Sequence, residues 1–407
     1  MHRFILTVTL MCGLAATTAT QQGRAEAEWF QWRGANRDGK SAETGLMKSW
    51  PAQGPPLAWK TAGAGIGYSS FSASGGRLYT MGGRGSSEFV VAFDASTGKR
   101  VWETVHGTLF SNDRGDGPRG TPTIDGDRLY ALGGSGDLSC LDAKTGRIVW
   151  RKNLVRDLGG RNIYWGLSES PLVVDDRVLV QAGGPNTAIV ALNKANGSVL
   201  WRNHSDEAGY SSAVLTNVAG TTQAVFFTGE RAVGVSVRDG RELWSYDRVS
   251  NGTANIATPI VAGNRVFLSS DYGTGAALLE LSPAGAREVY FTRDMRNHHS
   301  SSVLVGDHLY GFSGSILTAM KLADGTVAWR DRSVGKGSVI FADGRLYLYS
   351  ENGVVGLAEA NPAAYREHGR FTIDSGPLPT WSHPIITGGK LIVREQDNIY
   401  AYSIKSQ

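Results

Sequence analysis

Five stretches of this chain read as one phrase: Asp94-Ala-Ser-Thr-Gly98-Lys-Arg-Val-Trp102, Asp142-Ala-Lys-Thr-Gly146-Arg-Ile-Val-Trp150, Asn193-Lys-Ala-Asn-Gly197-Ser-Val-Leu-Trp201, Ser236-Val-Arg-Asp-Gly240-Arg-Glu-Leu-Trp244 and Lys321-Leu-Ala-Asp-Gly325-Thr-Val-Ala-Trp329. A degenerate sixth runs from Ser282 to Tyr290. Each follows a short apolar run such as Phe89-Val90-Val91-Ala92-Phe93. The phrase has the chemistry of a hairpin. Glycine supplies a positive φ without steric cost, and the Asp or Asn bonds the turn backbone. The closing aromatic ends the outgoing strand. With Trp59 before them and Phe371 after, these aromatics recur every 39 to 51 residues. That is the period of a supersecondary repeat.

A second turn recurs upstream of each phrase, as in Asp125-Gly-Asp-Arg-Leu-Tyr130, Gly306-Asp-His-Leu-Tyr310 and Asp343-Gly-Arg-Leu-Tyr347. One repeat is therefore strand, tight turn, strand, loop, strand, glycine turn, strand. Such a sheet cannot bury both faces alone, so the units must pack on one another and close. The last repeat, from Pro379, has three strands, and Pro56-Leu57-Ala58-Trp59-Lys60 is a fourth strand with no unit before it. Pairing these two ends predicts an all-β, eight-bladed β-propeller of four-stranded antiparallel blades, spanning residues 56–407. Residues 28–55 are expected to pack on it as an N-terminal segment, with Trp29, Trp32 and Trp50 on the rim.

Composition agrees. The 53 Gly and 11 Trp in 407 residues fit many turns. Charged residues make up 19% of the chain, below the usual ~25%, so charge-driven disorder is excluded. The formal net charge is +4 with no run of five like charges, and nucleic acid is not an expected partner. Residues 1–27 read as a secretory leader: a basic start at His2-Arg3, an apolar run from Phe4 to Ala16, and a small-x-small site at Ala25-Glu26-Ala27. Cleavage before Glu28 would give an exported, periplasmic or extracellular protein with Cys140 as its single cysteine. No later run is long enough to span a membrane, and a monomer is expected.

Propeller blades begin at the axis, so the lead-ins to the eight first strands converge on one mouth of the channel. Those positions carry Tyr68, Arg119, Trp165, Glu169, Tyr210, Asn255, His298, His299, Lys336, Trp381 and His383. Trp165 and Trp381 stand outside the repeat register, and either can stack a flat ligand such as a sugar ring or a quinone. The long connections 104–120 and 153–168 reach the same mouth. Adjacent His298 and His299 point to opposite faces of a strand, so no metal site is expected. Glu169 or His298 is the candidate base for any chemistry, with Tyr68, Arg119, Trp165, Tyr210, Asn255, His299, Lys336, Trp381 and His383 as candidate ligand contacts.

The Asp-Ala-x-Thr-Gly-x-x-x-Trp phrase resembles the pyrroloquinoline-quinone (PQQ) repeat, over residues 56–405. That family includes PQQ-dependent alcohol dehydrogenases, the propeller lipoprotein BamB of outer-membrane assembly, and exported bacterial propellers, to which Gln31-Trp32-Arg33-Gly34 brings the chain closest. The resemblance implies an aromatic docking blade against blade. It further implies a binding or assembly scaffold that meets a small molecule or an envelope protein at the channel mouth. Its alternative implication is an alcohol or sugar dehydrogenase using PQQ with calcium, for which Glu169, Asn255 and Arg119 offer a carboxylate, an amide and a guanidinium. Against that reading, the dehydrogenases carry an adjacent cysteine pair, which one mature cysteine forbids, and no Cys-x-x-Cys-His segment is present. A carbohydrate-active enzyme built on His298 and His383 is a third reading.

Overall fold

Asp94 explains why the repeated phrase turns where it does. Its Oδ1 accepts from the backbone N–H groups of Ser96 (3.0 Å) and Thr97 (2.8 Å) and from both hydroxyls. These bonds favour the carboxylate and hold its pKa down to about 2. Gly98 then takes φ 72°. Each such glycine has a second duty. A Cβ on Gly98 would stand 2.5 Å from the ring of Trp59, on Gly146 2.6 Å from Trp102, on Gly197 2.7 Å from Trp150, and on Gly240 2.5 Å from Trp201. Each aromatic lies over the turn glycine of the following blade and donates its indole N–H to a carbonyl there: Trp59 to Ala95, Trp102 to Ala143, Trp150 to Lys194, Trp201 to Val237. One phrase therefore builds a turn and docks two blades. Trp244 departs from the pattern, bonding Gln223 of its own blade at 2.9 Å, because the next blade carries the degenerate turn Ser282–Gly285.

The computed structural model describes residues 28–406, so the expected leader lies outside them. Eight antiparallel sheets follow in chain order at 72–108, 123–153, 172–203, 214–246, 260–292, 303–331, 337–372 and 385–403, and we number them blades 1 to 8. No α-helix occurs among the described residues, and none is long and apolar enough to cross a membrane. The ring closes as the odd strands predict. Leu57–Ala62 pairs antiparallel with Asn398–Ser403, Trp59 opposite Ala401, as the outer strand of blade 8. The core lies between blades and consists of apolar second and third strands, such as Leu78, Phe89, Val91 and Phe93. First strands are short, three residues in most blades, and face the axis.

Candidate functional site

The segment expected on the rim instead fills the channel. The Trp29 carbonyl accepts from Ala73 N–H of blade 1, and that of Phe30 from Ile124 N–H of blade 2. Arg37 is buried, and its guanidinium donates to the carbonyls of Ser170 (3.1 Å), Pro171 (2.5 Å) and Ala213 (2.9 Å), where blades 3 and 4 begin. Arg33, equally buried, donates to Ser301 and Ser302 of blade 6 at 3.2 and 2.7 Å. Lys40–Ser41 adds a parallel strand to Gly337–Ala342 of blade 7. Trp32 completes the circuit, donating to Thr258 Oγ1 of blade 5 at 2.9 Å and packing on His383 of blade 8 at 4.6 Å. Burial pulls the two guanidinium pKa values down to about 10 and about 9, and both stay charged at neutral pH. Residues 43–55 run on outside the channel, where Leu46 N–H donates to Asp343 and Trp50 packs against Phe371 and Tyr347 of blade 7.

This plug makes the channel blind, and a cavity of about 540 Å³ opens above it. Trp32 is part of its floor, and hydroxyls ring the wall just above. There the backbone N–H of one lead-in donates to the side chain of the next: Ser70 to Thr121, Thr121 to Ser170, Ser170 to Ser212, and Thr258 to Ser301. Nine of the eleven candidate residues line this one cavity: Tyr68, Arg119, Trp165, Tyr210, His298, His299, Lys336, Trp381 and His383. Tyr68 packs on Trp381 (ring centroids 4.9 Å) and Trp165 on Tyr210 (5.5 Å), so two aromatic pairs stand on different sides of the mouth. Arg119 lies over Tyr68 and Phe110 and donates to the carbonyls of Gly115 and Gly117.

The other two candidates face away. Glu169 lies between the lining residues Ser168 and Ser170 in the irregular lead-in and points away from them into the blade, where it accepts from Gln181 N–H. Burial raises its pKa to about 8, so it is largely protonated at neutral pH. Asn255 gives its amide N–H groups to the carbonyls of Thr228 and Gly229 and fixes a loop.

Glu351, which the sequence reading passed over, organises the wall of blades 6 to 8. Its Oε1 accepts from Trp381 Nε1 at 2.6 Å and Lys336 Nζ at 3.0 Å. It sits in the tight turn between the second and third strands of blade 7, away from the lead-ins in sequence, so a reading of the lead-ins could not reach it. His299 Nδ1 is 3.4 Å from the same oxygen without hydrogen-bond geometry, and its Nε2 has no partner among the described residues. His383 Nδ1 and Trp165 Nε1 are likewise unpartnered there. Burial holds the His383 pKa down to about 3, His299 well below its ordinary value, and His298 lower as well, so all three rings are neutral at neutral pH. Tyr272, also missed, donates to or accepts from His298 Nε2 at 3.0 Å and does so from a left-handed backbone, φ 55°. Among the described residues no group of three His, Cys, Asp or Glu is placed to hold a metal ion.

Comparison with known proteins fits this geometry. The sequence profile described as "Outer membrane protein assembly factor BamB" matches residues 86–331, more than half of the chain. The chain belongs to the BamB family. Among BamB relatives, the Yersinia pestis protein is 24% identical over 311 residues, 73% of this chain and 66% of its own. The Moranella endobia protein is 26% identical over 209 residues, 46% of this chain and 49% of its own. The chain thus spans less than two thirds of the length of either. Two solved structures share the fold. BamB from Moraxella catarrhalis has a TM-score of 0.66 at 13% identity, over 86% of this chain and all of that one. The quinohemoprotein alcohol dehydrogenase of Comamonas testosteroni has 0.67 at 13% identity, over 97% and 83%.

The dehydrogenase likeness can be tested on the donor set. No Asp or Glu lines the cavity among the described residues, and the expected carboxylate and amide, Glu169 and Asn255, are spent inside the blades. A hard cation takes oxygen ligands, carboxylates foremost. The cavity of this BamB-family chain therefore does not fit a calcium-held quinone.

Proposed function

We propose that this BamB-family propeller is an exported binding scaffold with a single ligand site at the mouth of its blind channel, through which it engages envelope components. The observation that carries this is convergence: residues from all eight blades, aromatic and polar, meet in one cavity of a size typical of small-molecule sites, ~300–1,000 Å³. Family membership and the BamB relatives support the assembly side of the reading, and the leader-like residues 1–27 support export. Blindness of the channel favours a receptor over a conduit.

Envelope extract passed over immobilised protein provides the test, comparing the natural chain with a Trp165→Ala/Trp381→Ala variant of matched circular dichroism. The natural chain is expected to retain envelope components that the variant releases, and cell fractionation should find the mature protein beginning at Glu28. Identical retention by the two proteins would overturn the assignment of the site. Recovery of the uncleaved chain in the cytoplasm would overturn export.

A further inference from the structure

The cavity has a biased hydrogen-bonding inventory. Arg114, Arg119, Lys336 and the indole N–H of Trp165 are donors only, while hydroxyls and neutral imidazoles can serve either way. No Asp, Glu, Asn or Gln lines it among the described residues, so nothing there is an acceptor alone. Sites for neutral sugars depend on such acceptors to take hydroxyl protons. Here the only groups fixed in one role are donors, which suits a ligand that brings its own acceptors.

Four lining residues hold polar atoms that have no partner among the described residues. Both nitrogens of His299, whose side chain is 8% exposed, and Nδ1 of His383, 3% exposed, have no hydrogen-bond partner among the described residues, although both line the cavity. His298 Nδ1 and Trp165 Nε1 complete the set. Buried polar groups normally find partners, and leaving one unmade costs roughly 1–3 kcal/mol, so several gathered in one cavity mark where a ligand's oxygens belong.

The aromatic groups give the ligand its body. Tyr68–Trp381 and Trp165–Tyr210 are tilted pairs, at 44° and 48°, and offer separate platforms in place of a parallel-walled slot for one flat tricycle. Tyr164 and Tyr272, 69% and 43% exposed, carry the aromatic surface outward. Tyr272 is kept there at a cost. The turn Asp271–Thr274 has positive φ at both central residues, Tyr272 and Gly273, and a bulky side chain is disfavoured at the first. Strain retained to hold an aromatic ring over a cavity is a mark of function.

We propose that the cavity binds an acidic sugar, a hexuronate unit within a short oligosaccharide, with its carboxylate on the neighbouring Lys336 and His299 donors and its ring faces on the aromatic platforms. The inference rests on the channel-mouth reading above and names its ligand. Glu351 takes one ammonium proton of Lys336, and the remaining two are available to a carboxylate. A charge-assisted bond of that kind contributes enough to change affinity about tenfold or more.

The test is a titration followed by tryptophan fluorescence and calorimetry, using trigalacturonate, neutral trigalactose, and PQQ with and without calcium. Trigalacturonate is expected to perturb the fluorescence and to bind at least about tenfold more tightly than the neutral trisaccharide, more weakly as salt is added. Lys336→Met should remove most of that preference and Lys336→Arg should keep it, which separates charge recognition from misfolding. Equal binding of the two trisaccharides, or binding of PQQ alone, overturns the acidic-sugar assignment. If no saccharide binds but Trp165→Ala/Trp381→Ala still loses envelope components, this inference falls and the scaffold reading stands. If that variant loses nothing as well, both fall.

Discussion

Replacing Arg37 with methionine should damage this protein far more than its position in a strandless segment suggests. The guanidinium satisfies three buried carbonyls, those of Ser170, Pro171 and Ala213, and also bonds Gln31. A buried acceptor left without a donor costs roughly 1–3 kcal/mol, and methionine supplies none. Removing the cation also removes its desolvation cost, visible in a pKa pulled down to about 9, and this offsets part of the loss. Three acceptors at that cost, less the offset, give an expected net destabilisation of about 3–5 kcal/mol. Arg37→Lys should fall between, because one ammonium cannot reach the lead-ins of blades 3 and 4 together. Guanidinium unfolding followed by tryptophan fluorescence measures the effect, with Arg156→Met as an exposed-arginine control. An Arg37→Met midpoint equal to the control would refute the account of the segment as a plug that binds the blades together.

Three further outcomes are expected. Glu169 is raised to about 8 from an ordinary 4.5, so between those pH values the unfolded chain sheds a proton that the folded chain keeps. Stability must fall as pH rises through that window, and Glu169→Gln should gain on the natural chain from pH 5 to 8 in thermal melts; parallel curves would contradict the burial of a protonated acid. Gly146→Ala should lower the melting temperature clearly more than Gly126→Ala. Both glycines have positive φ, but only a Cβ on Gly146 would meet the Trp102 ring, and equal losses would count against aromatic docking. Tyr272→Gly relieves a left-handed backbone that costs roughly 1–2 kcal/mol while losing the His298 bond, so the melting temperature should hardly move. A drop of many degrees would show that Tyr272 is held for packing.

How far the sequence could be read depended on whether a residue's duty recurs. The turn phrase recurs because blades repeat, so Gly98, Gly146, Trp102 and Trp150 announced the ring and its closure. Convergence of the lead-ins follows from that topology, and it brought nine candidates to one cavity. The failures at Glu169 and Asn255 share a cause: lead-ins are irregular, and whether a residue there faces the axis is decided by one step of chain. Arg33 and Arg37 were invisible for another reason. They bond carbonyls, which every residue has, so no partner in the sequence marks them. The glycines at positions 34 and 39, both at positive φ, were the available sign that this segment turns tightly.

The plug touches the first strands or their lead-ins in all eight blades, yet it precedes every blade in sequence, and the strand that follows it, Leu57–Ala62, pairs with Asn398–Ser403 of blade 8. Contacts that join residue 37 to residue 213, or 59 to 401, lie at the far end of sequence separation. Their ordering must await most of the polypeptide, which is the kind of topology that folds slowly. A growing chain can form blades one after another but has no complete socket for residues 29–41 until the ring is nearly closed. Such a chain remains threadable until Asn398–Ser403 has been made, and a stop before that strand would forfeit the seal.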